Sequence, residues 1–157
     1  MNKSKSSESA ASKTLRLILY ALFPAGALVT ITMPFMIDTY MAALYDAYAI
    51  EAGYKTFITV FLMAVGALGL FIIFELVIIL RTIPKDPFVK RNVRSLNVIG
   101  SAAFVCAAMF FLKCFLYVTI MTLLCGACLV ILGLFAFVLG DMFARAVAYK
   151  QENDLTI

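Results

Sequence analysis

The sequence predicts an all-α integral membrane protein: a four-helix transmembrane bundle with both termini cytoplasmic. Three observations lead there. Of its 157 residues 64% are hydrophobic and only 14% charged, where an ordinary soluble domain carries about a quarter charged residues. The apolar residues fall into four long runs rather than the short amphipathic stripes of a soluble core. Eleven of the 13 lysines and arginines lie in segments that such a bundle would put on one side.

Residues 1–13 (MNKSKSSESAASK) are polar and serine-rich, and predict a disordered cytoplasmic tail. The membrane domain then covers residues 14–140. Its first span, 15–37, is LRLILYALFPAGALVTITMPFMI, long enough to cross about 30 Å of hydrocarbon and bent near Pro24. A secretory signal peptide is the competing reading, but the run exceeds the usual h-region of about 7–15 residues and no small-residue cleavage site follows. Residues 38–55 carry Tyr40, Tyr45, Tyr48 and Tyr54, side chains suited to a membrane–water interface.

The second span, 56–80, ends abruptly at Arg81. Next comes the basic segment PKDPFVKRNVRSLNVIG. Asp86 is the expected N-cap and Pro87 the first residue of an amphipathic linker helix over 86–97, lying at the inner membrane surface. Val89, Val93 and Leu96 form its apolar side, opposite Lys90, Arg91 and Arg94. A third span over 98–112, a turn at Lys113–Cys114 and a fourth span over 115–139 complete the domain. Residues 141–157 form a cytoplasmic tail, helical to Lys150 and frayed over 151–154. The lysine and arginine excess on the tails and on the 81–94 loop puts all three in the cytoplasm by the positive-inside rule.

The candidate functional residues are few. There is no histidine, which removes the commonest general base and metal ligand; no metal, cofactor or enzymatic activity is expected. Glu75 is an ionisable group inside the second span, a functional candidate by default. It is a transporter carboxylate, a structural partner of Arg16 or Arg94, or a carboxylate partly hydrated at the interface. Gly126, Gly133 and Gly140 recur every seven residues, and with Gly100, Ala103 and Ala107 predict close helix packing. Cys125 and Cys128 make a CxxC, the basis of a weaker thiol-oxidoreductase reading, since apolar surroundings disfavour the reactive thiolate. The final Leu155, Thr156 and Ile157, behind an acidic-polar spacer, form a candidate docking peptide.

The segments DPFVKRNVRSLNVIG (86–100) and FARAVAYKQENDLTI (143–157) together resemble the DUF2975 family of small bacterial membrane proteins. Its members share an N-V-x-x-L-x-x-I-G run after a proline-aromatic loop, and a tail close to K-E-E-N-D-L-T-I. The four-span spacing matches, so the resemblance covers residues 14–157. Gln151 stands where the family often has an acid. The family carries no established activity. Its genes often neighbour one for a small helix-turn-helix regulator, which implies a membrane protein that holds such a regulator at the cytoplasmic face. The expected contact residues are Phe88, Lys90, Arg91, Asn92 and Arg94 of the loop, with Glu152, Asn153, Asp154, Leu155 and Ile157 of the tail.

The resulting expectation is a non-enzymatic regulatory protein of the bacterial cell membrane. Its partners would be the lipid bilayer, the regulator and a second copy of the chain, with no direct nucleic-acid contact. The alternatives are a small transporter using Glu75 and, further off, a thiol oxidoreductase using Cys125 and Cys128.

Overall fold

The computed structural model describes residues 10–44, 52–83 and 86–154, which form four helices: α1 (Ala10–Leu44), α2 (Ala52–Thr82), α3 (Lys90–Leu116) and α4 (Ile120–Asp154). Each is long and apolar enough to cross a membrane. The closely packed pairs are α1–α2, α2–α3 and α3–α4, so the helices neighbour one another in chain order and the bundle is open between α1 and α4. Short connections force this up-and-down arrangement.

Helix α1 continues through Pro24 and Pro34. Proline removes a backbone donor from a helix interior, and in the same stretch Thr30 and Thr32 return their hydroxyls to the carbonyls of Gly26 and Leu28, at 2.8 Å each. The helix starts at Ala10, so residues 10–13 of the predicted disordered tail are helical. Of the interfacial tyrosines, Tyr45 and Tyr48 lie outside the described residues. Tyr54 packs edge-on against Tyr117 with ring centroids 4.2 Å apart.

Three expected boundaries move. The linker and third span are a single helix, α3, with no break between Lys90 and Leu116. Its N-cap is Val89, without a side-chain cap bond; Asp86 instead accepts the Phe88 N–H at 3.0 Å, holding a turn ahead of the helix. The turn expected at Lys113–Cys114 comes at residues 117–119, where the Tyr117 N–H still donates to Lys113 O at 2.8 Å. Finally, α4 does not fray at 151–154 but stays helical through Asp154.

The interior is built differently along its length. Ile37, Ile58 and Phe61 form one apolar cluster with Met109 and Phe110, joining α1, α2 and α3. Leu19, Val77 and Leu80 form a second between α1 and α2, at the end that carries the 83–89 loop. Between α3 and α4 the contact is backbone-close. A Cβ on Gly133 would lie 2.9 Å from the Phe104 ring and 3.3 Å from Gly100 O, and one on Gly100 would lie 3.2 Å from Gly133 O. Gly126 faces Phe110 and Phe111, and Gly140 faces Leu96 and Asn97. All three heptad glycines therefore lie against α3. Ala102, Ala103, Cys106 and Ala107 of α3 are buried as well.

Candidate functional site at the loop end

The polar side chains of the structure concentrate where α2 ends, α3 begins and α4 extends. Asn92 organises the turn. It is fully buried, its Nδ2 donates to Pro87 O at 2.8 Å, and its Oδ1 lies 2.5 Å from Thr82 Oγ1. The Thr82 hydroxyl proton is shared between that oxygen and Ile79 O, 2.7 Å away. Both ends of the loop are thereby tied to one side chain. Asn92 was expected to meet a partner, but its burial commits it to the interior, because a buried amide must satisfy its hydrogen bonds where it sits.

Glu75 is buried on α2, and Arg91 Nη2 reaches its two carboxylate oxygens at 3.3 and 3.4 Å. The ion partner is therefore Arg91, in place of the Arg16 or Arg94 expected from sequence. The guanidinium is half exposed while the carboxylate is not, so Arg91 satisfies the acid and keeps its own solvation. Arg16 instead donates to Leu80 O at 2.9 Å, covering one of the carbonyls orphaned at the end of α2. Arg81 Nε donates to Tyr20 Oη at 2.8 Å. Arg94 is exposed.

The loop and the α4 extension meet. Lys150 Nζ donates to Asp86 Oδ2, and the Phe88 and Phe143 rings lie 5.9 Å apart. The Lys150 hydrogen bond is the main cause that holds the Asp86 carboxyl below its ordinary value of 3.8; desolvation opposes it and the Phe88 N–H adds to it. Beside this clasp lies a depression of about 230 Å³ lined by Lys90, Val93, Ala144, Val147, Ala148 and Gln151. Two regions 50 residues apart in sequence thus form one surface with an apolar floor and a charged rim. Phe88, Lys90 and Arg94 of the predicted contact set are exposed on it or beside it. Glu152 and Asn153 are exposed on the last turn of α4. Asp154 ends that helix; Leu155 and Ile157 lie outside the described residues.

The remaining candidates sit elsewhere. Cys125 and Cys128 are thiols on the first turns of α4, half-buried and exposed respectively, away from the loop end; Cys106 and Cys114 are thiols on α3. Among the described residues no three His, Cys, Asp or Glu side chains come together.

Thr82 and Tyr20 had not been singled out from sequence, and Arg81 had been noted only as the end of the second span. Extending the Gly100–Ala103–Ala107 stripe two turns toward the N-terminus lands on Asn92, Ser95 and Leu96, all buried, so the periodicity already in hand could have identified Asn92 as an interior residue.

Four helices, each long and apolar enough to cross a membrane, point to the class of multi-pass helical membrane proteins. The chain belongs to the DUF2975 family, proteins of unknown function, whose family model matches residues 39–157. The match takes in α2, α3 and α4 whole and only the end of α1. No curated protein and no solved structure matches the chain.

Proposed function

We propose that this protein is a non-enzymatic regulator resident in the bacterial cell membrane, which binds a cytoplasmic protein through the surface shared by residues 86–89, the first turn of α3 and the α4 extension. The observation that carries the reading is the clasp: Lys150 on Asp86 and Phe143 on Phe88 bring together the two segments with the most distinctive sequence. Arg81, Lys90, Arg91, Arg94, Arg145 and Lys150 all lie near this end, and by the positive-inside rule they support a cytoplasmic location for it and for both termini. A small helix-turn-helix regulator is the partner that the gene neighbourhood of the family favours. Holding it at the membrane would remove it from DNA by mass action.

The test is retention of the partner from native membranes by the full chain and by a chain ending at Gln151, which keeps Lys150 and the clasp. Loss of one small DNA-binding protein on truncation supports the reading. Identical retention overturns the tail as a contact. Orientation is checked separately with Gln151→Cys in a chain whose four native cysteines are changed to serine, and a membrane-impermeant thiol reagent: labelling should require permeabilised membranes.

A second reading, a small transporter, draws on the burial of the Glu75 carboxylate between α2 and α3. It requires that Glu75→Gln abolish a proton-dependent flux in vesicles, whereas in the regulatory reading that change leaves partner retention intact.

A further inference from the structure

A groove of about 330 Å³ runs between α1 and α2 at the loop end, lined by Tyr20, Phe23, Phe74, Val77, Ile78 and Arg81. Its construction follows from helical spacing. Phe74, Val77, Ile78 and Arg81 fall at i, i+3, i+4 and i+7 on α2, and Tyr20 and Phe23 at i and i+3 on α1, so two facing stripes form the walls. Glu75, six residues before Arg81, points instead toward α3, where Arg91 holds it. The body of the groove is apolar and opens outward: Phe74 is 51% exposed and Phe23 38%. Its head is a cation.

Arg81 is exposed in the last turn of α2, at the boundary of the apolar span. The Tyr20 hydroxyl accepts from its Nε at 2.8 Å, and its guanidinium carbon lies 5.5 Å from the centre of the Tyr20 ring. That hydrogen bond and ring contact orient the planar fork while leaving the two terminal nitrogens to donate. Among the described residues no carboxylate pairs with Arg81. A guanidinium presents two parallel N–H donors that match phosphate bidentately. Tyrosine and arginine at a span boundary sit at headgroup depth, and the groove descends from them along about 10 Å of helix toward Phe74.

We infer that this groove is a binding site for one anionic phospholipid, its phosphate on the Arg81 guanidinium and an acyl chain along Phe23, Phe74, Val77 and Ile78. Charge complementarity selects an anionic headgroup, and outward exposure of an apolar floor beneath the cation selects a lipid over a soluble anion. The site rests on the membrane placement of the helices but not on any cytoplasmic partner.

The chain contains no tryptophan, so Phe23→Trp gives a single reporter on the groove wall. The full chain carrying it is reconstituted in phosphatidylcholine, and its fluorescence is titrated with acyl-brominated phosphatidylglycerol or acyl-brominated phosphatidylcholine. The expected result is about a fivefold preference for phosphatidylglycerol. Arg81→Gln in the same chain should abolish that preference, while Lys90→Gln, a cation on the loop surface, should leave it. Equal quenching by the two lipids overturns the site using the reporter chain alone, whatever the folding of the Arg81 variant. An equal loss in the Arg81→Gln and Lys90→Gln chains also overturns it, since general attraction to a basic surface would then account for the preference.

Discussion

The two halves of the bundle hold their helices together by different means. Along α3–α4 small residues let the backbones approach, with Gly100 and Gly133 each facing the other's carbonyl, and the clasp at Asp86 and Lys150 closes one end. Along α1–α2 the close approach is of side chain to backbone, Thr30 on Gly66 and Leu70 on Gly26. Leu28, Ile31 and Phe35 of α1 point outward, and polar contacts gather at the helix ends: Arg16 on Leu80 O, Arg81 on Tyr20, Lys55 on Asp38. Within lipid no hydrophobic force draws two apolar helices together, so close packing and interhelical hydrogen bonds must do it. The pair that packs backbone to backbone is expected to be the more rigid unit. The pair that leaves a groove open between its walls has room for lipid. The family match cuts across this division: it leaves most of α1 outside but takes in α2 together with α3 and α4.

The strongest way to break this contrast is to widen each interface by one side chain. Gly133→Leu would drive a branched group into Phe104, itself stacked on Phe137 at 5.8 Å, and toward the Gly100 carbonyl. A loss of about 3 kcal/mol is expected, the upper part of the range for overpacking a close contact. Gly66→Leu meets Thr30 with a similar clash, its Cβ 2.6 Å from the hydroxyl. There the atoms met belong to one small side chain, with no aromatic ring and no backbone carbonyl of α1 behind it, so about 1 kcal/mol is expected. Unfolding in detergent, followed by loss of helicity, measures both. Equal losses would mean that α1 is held as firmly as α4.

A smaller effect sharpens the role of the loop in the rigid half. Asn92→Ala removes the side chain that ties Thr82 to Pro87 and leaves the Pro87 carbonyl without its donor. About 2 kcal/mol is expected, the usual penalty for stranding buried polar groups. Faster amide exchange should appear at residues 86–92 before it appears in α4. Uniform exchange along the chain would deny Asn92 that local role.

How much of this was legible in the sequence depends on what kind of rule decides each feature. The four spans follow from hydropathy, and the glycine stripe from spacing, because both are local patterns. The continuity of α3 was missed because Lys90, Arg91 and Arg94 change the polarity of the segment, and polarity says where a helix meets water rather than where its backbone stops. No proline falls between Lys90 and Leu116, and Gly100 lowers helix propensity without removing a backbone donor. The partner of Glu75 was missed for another reason. Arg91 and Arg94 are three residues apart, on nearly one face, so the choice between them is made by the register of α2 against α3. Register is a property of packing. The clasp was likewise invisible, since no periodicity relates Asp86 to Lys150; only the α4 helix, unbroken to Asp154, carries Lys150 to the loop.

The clasp provides the gentlest test, because a contact between exposed charges adds little to global stability. Lys150→Ala should leave unfolding in detergent unchanged. Its effect should appear instead in the titration of Asp86, followed by carbon NMR of labelled aspartate carboxyls. In the native chain the Lys150 hydrogen bond holds the Asp86 carboxyl below 3.8. The sign follows from linkage: a carboxyl whose folded value is depressed contributes fully above its ordinary value and loses that contribution as pH falls through the folded one. The clasp should therefore be intact at neutral pH and open only on acidification below about 3.8. In the Lys150→Ala chain the midpoint should move upward, though the Phe88 N–H still donates to the same carboxyl and keeps part of the depression. An unmoved midpoint would mean that Lys150 does not bond Asp86 in the membrane. The rigid half would then end at the Asn92 turn, and the loop and the α4 extension would be two separate surfaces.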